Sequence, residues 1–229
     1  MKRIFMGLLL SMFVTAAAAQ EKKYTDHYYE RVAQFEAEAP IGQNDIVFLG
    51  NSLTEGGRWS EFFAETQARL QKKGGAIRNR GIIGDTAEGI ADRLDEITKG
   101  KPKKIFLLCG VNDISHDLTL DQIAARLENL VSRIRSESPK TKLYLQSILP
   151  FNESFKRYKN LNGKTWMVAE LNVMLKQIAD KYKVEFLNIY PLFLEEGTAR
   201  LNPSITSDGL HLNAEGYEIW KSAIEKYVK

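Results

Sequence analysis

Along the chain, short apolar runs rich in β-branched and aromatic residues alternate with longer stretches whose apolar positions recur every three or four residues. That is the pattern of β-α units feeding a parallel sheet. The short runs predict strands over residues 45–49, 76–79, 104–109, 142–147 and 184–188, and the longer stretches predict helices over 24–37, 59–71, 87–97, 120–136, 166–182 and 214–227. In the helix over 120–136, Ile123, Leu127, Leu130, Val131 and Ile134 make one apolar stripe to lay on the sheet. Its mate on the opposite face is expected to be the helix carrying Leu171, Met174, Leu175 and Ile178. The expected fold class is α/β, a three-layer α/β/α sandwich around a five-stranded parallel sheet.

The longest irregular stretch, 149–165, holds three aromatics, Phe151, Phe155 and Tyr158, among Asn152, Glu153, Arg157, Lys159 and Asn162. A loop of that length in a compact domain is functional or disordered, and three aromatics favour function. No repeat, low-complexity tract or linker divides the chain, so residues 20–229 read as one domain. Residues 1–19 differ from the rest. A cationic start (Lys2, Arg3), an apolar run from Ile4 to Val14 and a small-residue tail from Ala16 to Ala19 match a secretory signal peptide cleaved after Ala19. The apolar run is shorter than the ~20 residues a membrane-crossing helix needs, so no stable membrane insertion is expected once the leader is gone. The expected location is outside the cytoplasm, periplasmic or secreted.

Composition sets bounds on this picture. With 229 residues, 44% hydrophobic and 27% charged, the chain is neither disordered nor collagenous. Its single cysteine, Cys109, cannot form an internal bridge and reads as a small apolar filler at the end of a buried strand. Of the formal net charge of +3, two units sit on Lys2 and Arg3, leaving +1 on the mature chain and no footprint for nucleic acid.

Ligands of open parallel sheets bind beyond the carboxyl ends of the strands, so the residues following each predicted strand carry the candidate chemistry. Gly50-Asn51-Ser52-Leu53-Thr54 follows the first strand, Gly81-Ile82-Ile83-Gly84-Asp85-Thr86 the second and Gly110-Val111-Asn112-Asp113 the third. Asp208-Gly209-Leu210-His211 precedes the last helix. Taken singly, each has a structural explanation: Ser52 as a helix N-cap, Gly84 as a positive-φ residue, Asn112 and Asp208 as turn residues. Together they place a serine and an Asp/His pair on one sheet edge. A serine hydroxyl is a weak nucleophile until an imidazole takes its proton, and the imidazole needs a carboxylate to fix its tautomer.

With these four blocks in order, the chain resembles the SGNH hydrolases, the esterase and lipase family also called GDSL-type, over about residues 45–217. Its finer likeness is to the acetylhydrolase-like and carbohydrate or sialate O-acetylesterase-like branch. The resemblance implies a flavodoxin-like sheet, Ser52 as nucleophile, His211 as base and Asp208 as the orienting acid. It further implies an oxyanion hole made from the backbone N–H groups of Ser52 and Gly84 and the side-chain amide of Asn112. One departure is visible: the family's first block commonly reads Gly-Asp-Ser-Leu, and here Asn51 stands in the second place. Asn51, Phe151, Phe155 and Tyr158 are the candidate substrate contacts.

No cofactor is expected, since no G-x-G-x-x-G or P-loop follows a strand. No metal is expected either, because His27, His116 and His211 show no two-histidine helical spacing. His116 reads as a surface or helix-start residue. The expected partner is a small-molecule or glycan acyl ester, most simply an O-acetyl ester of a carbohydrate. The alternatives are a lysophospholipid or acyl thioester substrate and, from a different class, a non-catalytic glycan-binding domain. Activity should fall as His211 protonates in acid.

Overall fold

The computed structural model describes residues 23–229. The leader expected over 1–19 lies outside the described residues. The chain opens with α1 (Asp26–Ala37), β1 (Ile46–Gly50), two short helices α2 (Ser52–Glu55) and α3 (Trp59–Phe62), then α4 (Ala64–Gln71) and β2 (Ile77–Gly81). It continues through α5 (Ala87–Asp92), α6 (Leu94–Gly100), β3 (Lys104–Leu108), α7 (Val111–Ser115), α8 (Leu120–Glu137) and β4 (Lys142–Gln146). The last elements are α9 (Thr165–Tyr182), β5 (Glu185–Leu187) and α10 (Ala214–Val228).

Among the described residues the five strands form one parallel sheet in the order β2-β1-β3-β4-β5. The chain leaves β1 toward one edge and returns to β3 on its other side, so the switch point lies between β1 and β3. Crevices for ligands form there, at the carboxyl ends of the strands. The strands are apolar on both faces because both faces are covered. Val47, Leu49, Ile105, Leu107, Leu143 and Leu145 enter one core with α5, α6, α8 and α9. Ile46, Phe48, Phe106, Leu108 and Tyr144 enter the other with α3, α4 and α10. On that second face the rings of Phe48, Phe106 and Tyr144 stack across adjacent strands at 4.9 and 4.6 Å, and Trp59 lies flat on Phe48 at 4.2 Å.

The pairing of α8 with α9 across the sheet is corrected: both lie on the same face and pack against one another. The apolar stripes of the two helices enter the same core. The opposite face is closed by α10, through Trp220, Ile224 and Val228, with α3 and α4. Two predicted helices are each broken once. The 59–71 helix breaks at Phe63 (φ −118°, ψ 45°), whose ring turns into the core toward Phe48, and the 87–97 helix breaks at Arg93 (φ −110°, ψ 10°). The loop over 149–165 is braced by two 3₁₀ turns, Glu153–Phe155 and Lys159–Leu161. Good caps sharpen the long helices: Thr119 and Gln122 form a reciprocal capping box on α8, and Asn213 caps α10.

Candidate active site

The turn after β1 carries Ser52 as the first residue of α2. The cap is Asn51 instead, whose Oδ1 accepts the Leu53 N–H at 3.1 Å. As a first helical residue Ser52 has no intrahelical acceptor for its own N–H. Asn79 on β2 holds the end of this turn, its amide reaching the carbonyls of Thr54, Glu55 and Gly57 at 3.0 Å each.

Asp208 and His211 come from the loop before α10, 159 residues from Ser52 to His211 along the chain. His211 Nε2 lies 2.9 Å from Ser52 Oγ, and His211 Nδ1 lies 2.8 Å from Asp208 Oδ2. With the Nδ1 proton on the carboxylate, Nε2 is left as an acceptor facing the serine hydroxyl. Partial burial opposes ionisation of Asp208, but hydrogen bonds from the His211 ring, the His211 and Leu210 amides and the Tyr158 hydroxyl together hold its carboxyl well below the ordinary range. These bonds favour the carboxylate form of Asp208 over the acid.

Gly84 follows β2 with φ +79°, a conformation that turns the chain beside Ser52. Asn112 stands in α7 after β3 and donates through Nδ2 to the Asp85 carbonyl at 2.8 Å. That bond orients the amide and leaves its second N–H available. Beneath these groups Arg93 joins three segments: it donates to the Asp85 carboxylate at 2.9 Å, the Arg80 carbonyl at 2.9 Å and the Gly50 carbonyl at 3.2 Å. Burial pushes the Asp85 carboxyl up to about 6 even with Arg93 beside it. Asp113 is also buried and shifted up, and it accepts the Ala87 N–H at 3.0 Å.

A cleft of about 450 Å³ opens over Ser52, Gly84, Asn112 and His211, lined also by Ile83, Tyr158 and Leu161. Of the four expected substrate contacts, Tyr158 lines this cleft. Phe155 is partly exposed and packs over Gly209. Phe151 and Asn51 are corrected: Phe151 is buried in the core with Leu161 and Leu210, and Asn51 is buried beneath the serine turn, so neither side chain reaches the cleft. Asn152 and Glu153 likewise brace the loop, Asn152 through the Leu201 carbonyl and Glu153 through Thr165. His116 is exposed, as one of its two expected readings had it, and stands at the C-terminal end of α7. Cys109 is buried, and burial pushes its thiol well up. Among the described residues no three His, Cys, Asp or Glu side chains gather to hold a metal.

Sequence reasoning missed Ile83, which is 54% exposed at the cleft rim. Its N–H is fixed by the Glu55 carboxylate at 2.6 Å, and Glu55 is in turn held by His27 at 3.1 Å and Arg31 at 3.5 Å. No sequence signal separates Ile83 from its buried neighbour Ile82.

A hydroxyl, an imidazole and a carboxylate in line beside N–H donors, above a cleft at the carboxyl edge of a parallel sheet, are the means of acyl transfer. Such a set defines the class of serine hydrolases, which cleave esters, thioesters and amides through an acyl-serine. Within that class the chain belongs to the GDSL-like Lipase/Acylhydrolase family, whose model matches residues 48–219. It is 27% identical over 202 residues to platelet-activating factor acetylhydrolase IB subunit alpha2 of Rattus norvegicus, across 87% of this chain and 82% of that protein. Among solved structures, one from Streptococcus pneumonia named for platelet activating factor superposes with a TM-score of 0.75 at 26% identity, over 89% of this chain and 93% of the other. A GDSL-like lipase of Bacteroides thetaiotaomicron superposes with a TM-score of 0.70 at 25% identity, over 88% and 96%.

Proposed function

We propose that this chain is an exported serine esterase that removes short acyl groups, chiefly O-acetyl, from carbohydrates through Ser52, His211 and Asp208. The observation that carries the reading is the unbroken line from Ser52 Oγ to His211 Nε2 at 2.9 Å and from His211 Nδ1 to Asp208 Oδ2 at 2.8 Å. Ser52 Oγ attacks the ester carbon as its proton passes to Nε2. The developing oxyanion is received by the N–H groups of Ser52 and Gly84 and the free N–H of the Asn112 amide, each such donor being worth on the order of 10²- to 10³-fold in rate. His211 then gives the proton to the departing alcohol, leaving an acyl-serine. Water, deprotonated by the same Nε2, releases the acid and restores Ser52.

Support for an acetyl group comes from the acetylhydrolase relative. Support for a polar alcohol comes from the cleft, where Ser115, Arg157, Lys159 and Asn160 alternate with Ile83, Leu161 and Leu210. Export rests on the leader over 1–19. A lipid alcohol is the second reading, favoured by the name of the same relative.

Replacing Ser52 by Ala should lower p-nitrophenyl acetate turnover by about 10⁴-fold or more while the circular dichroism spectrum stays unchanged. Undiminished turnover would remove Ser52 as nucleophile. A panel of acetylated sugars, acetylated xylan and lysophospholipids distinguishes the two alcohols, and faster turnover of the lysophospholipids would favour the second.

A further inference from the structure

We propose that Tyr158 is a positioning residue that locks the Asp208 carboxylate and the His211 imidazole together from the loop after β4; this rests on the esterase reading above. Tyr158 stands in the loop between β4 and α9, fifty residues before Asp208. Its hydroxyl donates to Asp208 Oδ2 at 2.8 Å, the same oxygen that takes the His211 Nδ1 proton at 2.8 Å. It also lies 3.1 Å from Nδ1 itself. A phenol has one proton to donate, and that proton goes to Oδ2. The phenol oxygen is then left as an acceptor toward Nδ1–H, which is shared between the carboxylate and the phenol. The three groups close a ring of hydrogen bonds, and the tyrosine ring stands edge-on to the imidazole at 5.9 Å and 70°.

The closure has two consequences. Asp208 Oδ1 is held by the Leu210 and His211 amides at 2.9 and 2.8 Å, so with Tyr158 on Oδ2 both carboxylate oxygens are fixed by groups outside the imidazole. The carboxylate cannot swing away when His211 gains its proton. Second, Tyr158 sits between Arg157 and Lys159, which line the cleft, so a substrate settling against this wall presses on the same loop that holds Asp208. The ionisable groups around the imidazole are Asp208 on its own loop, Tyr158, Arg157 and Lys159 on the loop after β4, and the Ser52 hydroxyl on α2. Burial and the Asp208 charge both raise the Tyr158 phenol, which stays protonated through neutral pH.

Tyr158→Phe keeps the ring and removes only the hydroxyl. The expected result is a fall of about tenfold in kcat for p-nitrophenyl acetate with KM within about twofold. The acid limb of the kcat/KM profile should move to higher pH by about half a unit, because a carboxylate relieved of one donor binds the imidazolium proton more tightly. The downfield Nδ1–H proton resonance of His211, read by NMR on the resting enzyme, should shift in the same variant. Unchanged kcat, acid limb and resonance would overturn the proposal. So would a rise in KM alone, which would make Tyr158 a substrate contact. If the wild-type protein fails to hydrolyse any ester, the esterase reading falls, while the resonance still tests whether Tyr158 governs the Asp208–His211 pair.

Discussion

Gly209 lies at φ +85° between Asp208 and His211, where a Cβ would stand 2.5 Å from the Asn152 carbonyl and 3.0 Å from the Phe155 side chain. The residue is needed for two independent reasons, a left-handed backbone and a close approach to the loop that carries Tyr158. Gly209→Ala should destabilise the fold by about 2 kcal/mol or more, since the left-handed conformation alone costs roughly 1–2 kcal/mol and the clash adds to it. It should also lower kcat by displacing Asp208 and His211. Thermal melting read beside ester hydrolysis checks both, and a variant with native stability and rate would contradict them. Ile83 is the opposite case, an apolar side chain whose exposure at the cleft rim leaves it little stabilising work. Ile83→Ala should leave stability within about 0.5 kcal/mol and raise KM for the preferred ester. Unchanged KM across the ester panel would mean that the rim does not touch substrate.

At the scale of elements, the break between α5 and α6 illustrates what a chain pattern does not convey. Its apolar spacing continues through 87–97, yet Arg93 leaves the helix to reach Asp85, Gly50 and Arg80, joining the turns after β1 and β2 under the site. Polar partners distant in sequence decided the geometry there, and periodicity reports only which side faces the core. The strands were legible because burial on both faces leaves continuous apolar runs, and Ser52, Gly84 and Asn112 were legible because each follows a strand end. From sequence Tyr158 reads only as a substrate contact, because its bond to Asp208 spans fifty residues without a local trace. The Arg93 tether makes a prediction with a definite sign. In Arg93→Met the buried Asp85 loses its counter-charge, at a cost of about 3–5 kcal/mol near pH 8. Burial already raises this carboxyl to about 6 in the folded protein, and without Arg93 it rises further. A folded-state value above the unfolded one means that stability returns as pH falls. The deficit of the variant against wild type, measured by urea denaturation, should therefore be smaller at pH 6 than at pH 8. An equal deficit at both would show that Asp85 does not carry the loss.

At the scale of the whole molecule, one sheet separates two cores of different character, aliphatic under α8 and α9 and aromatic under α3, α4 and α10, and every group of the site stands on their common upper edge. Cys109 sits where β3 leaves that edge, 2% exposed, three residues before Asn112, in the core that α5, α8 and α9 cover. Its thiol is buried and pushed up, so a thiol reagent must wait until the aliphatic core opens. If the sheet and its covering helices open only as a unit, labelling of Cys109 in native buffer should be slower than that of a free thiol by about 10³-fold or more. The rate should then rise with urea in step with global unfolding. Ester hydrolysis should survive the reagent for as long as Cys109 remains unlabelled. Prompt stoichiometric labelling with loss of activity would instead mean that the end of β3 and the Asn112 turn open on their own, and that the Asn112 side of the site is less firmly held than the Ser52 side.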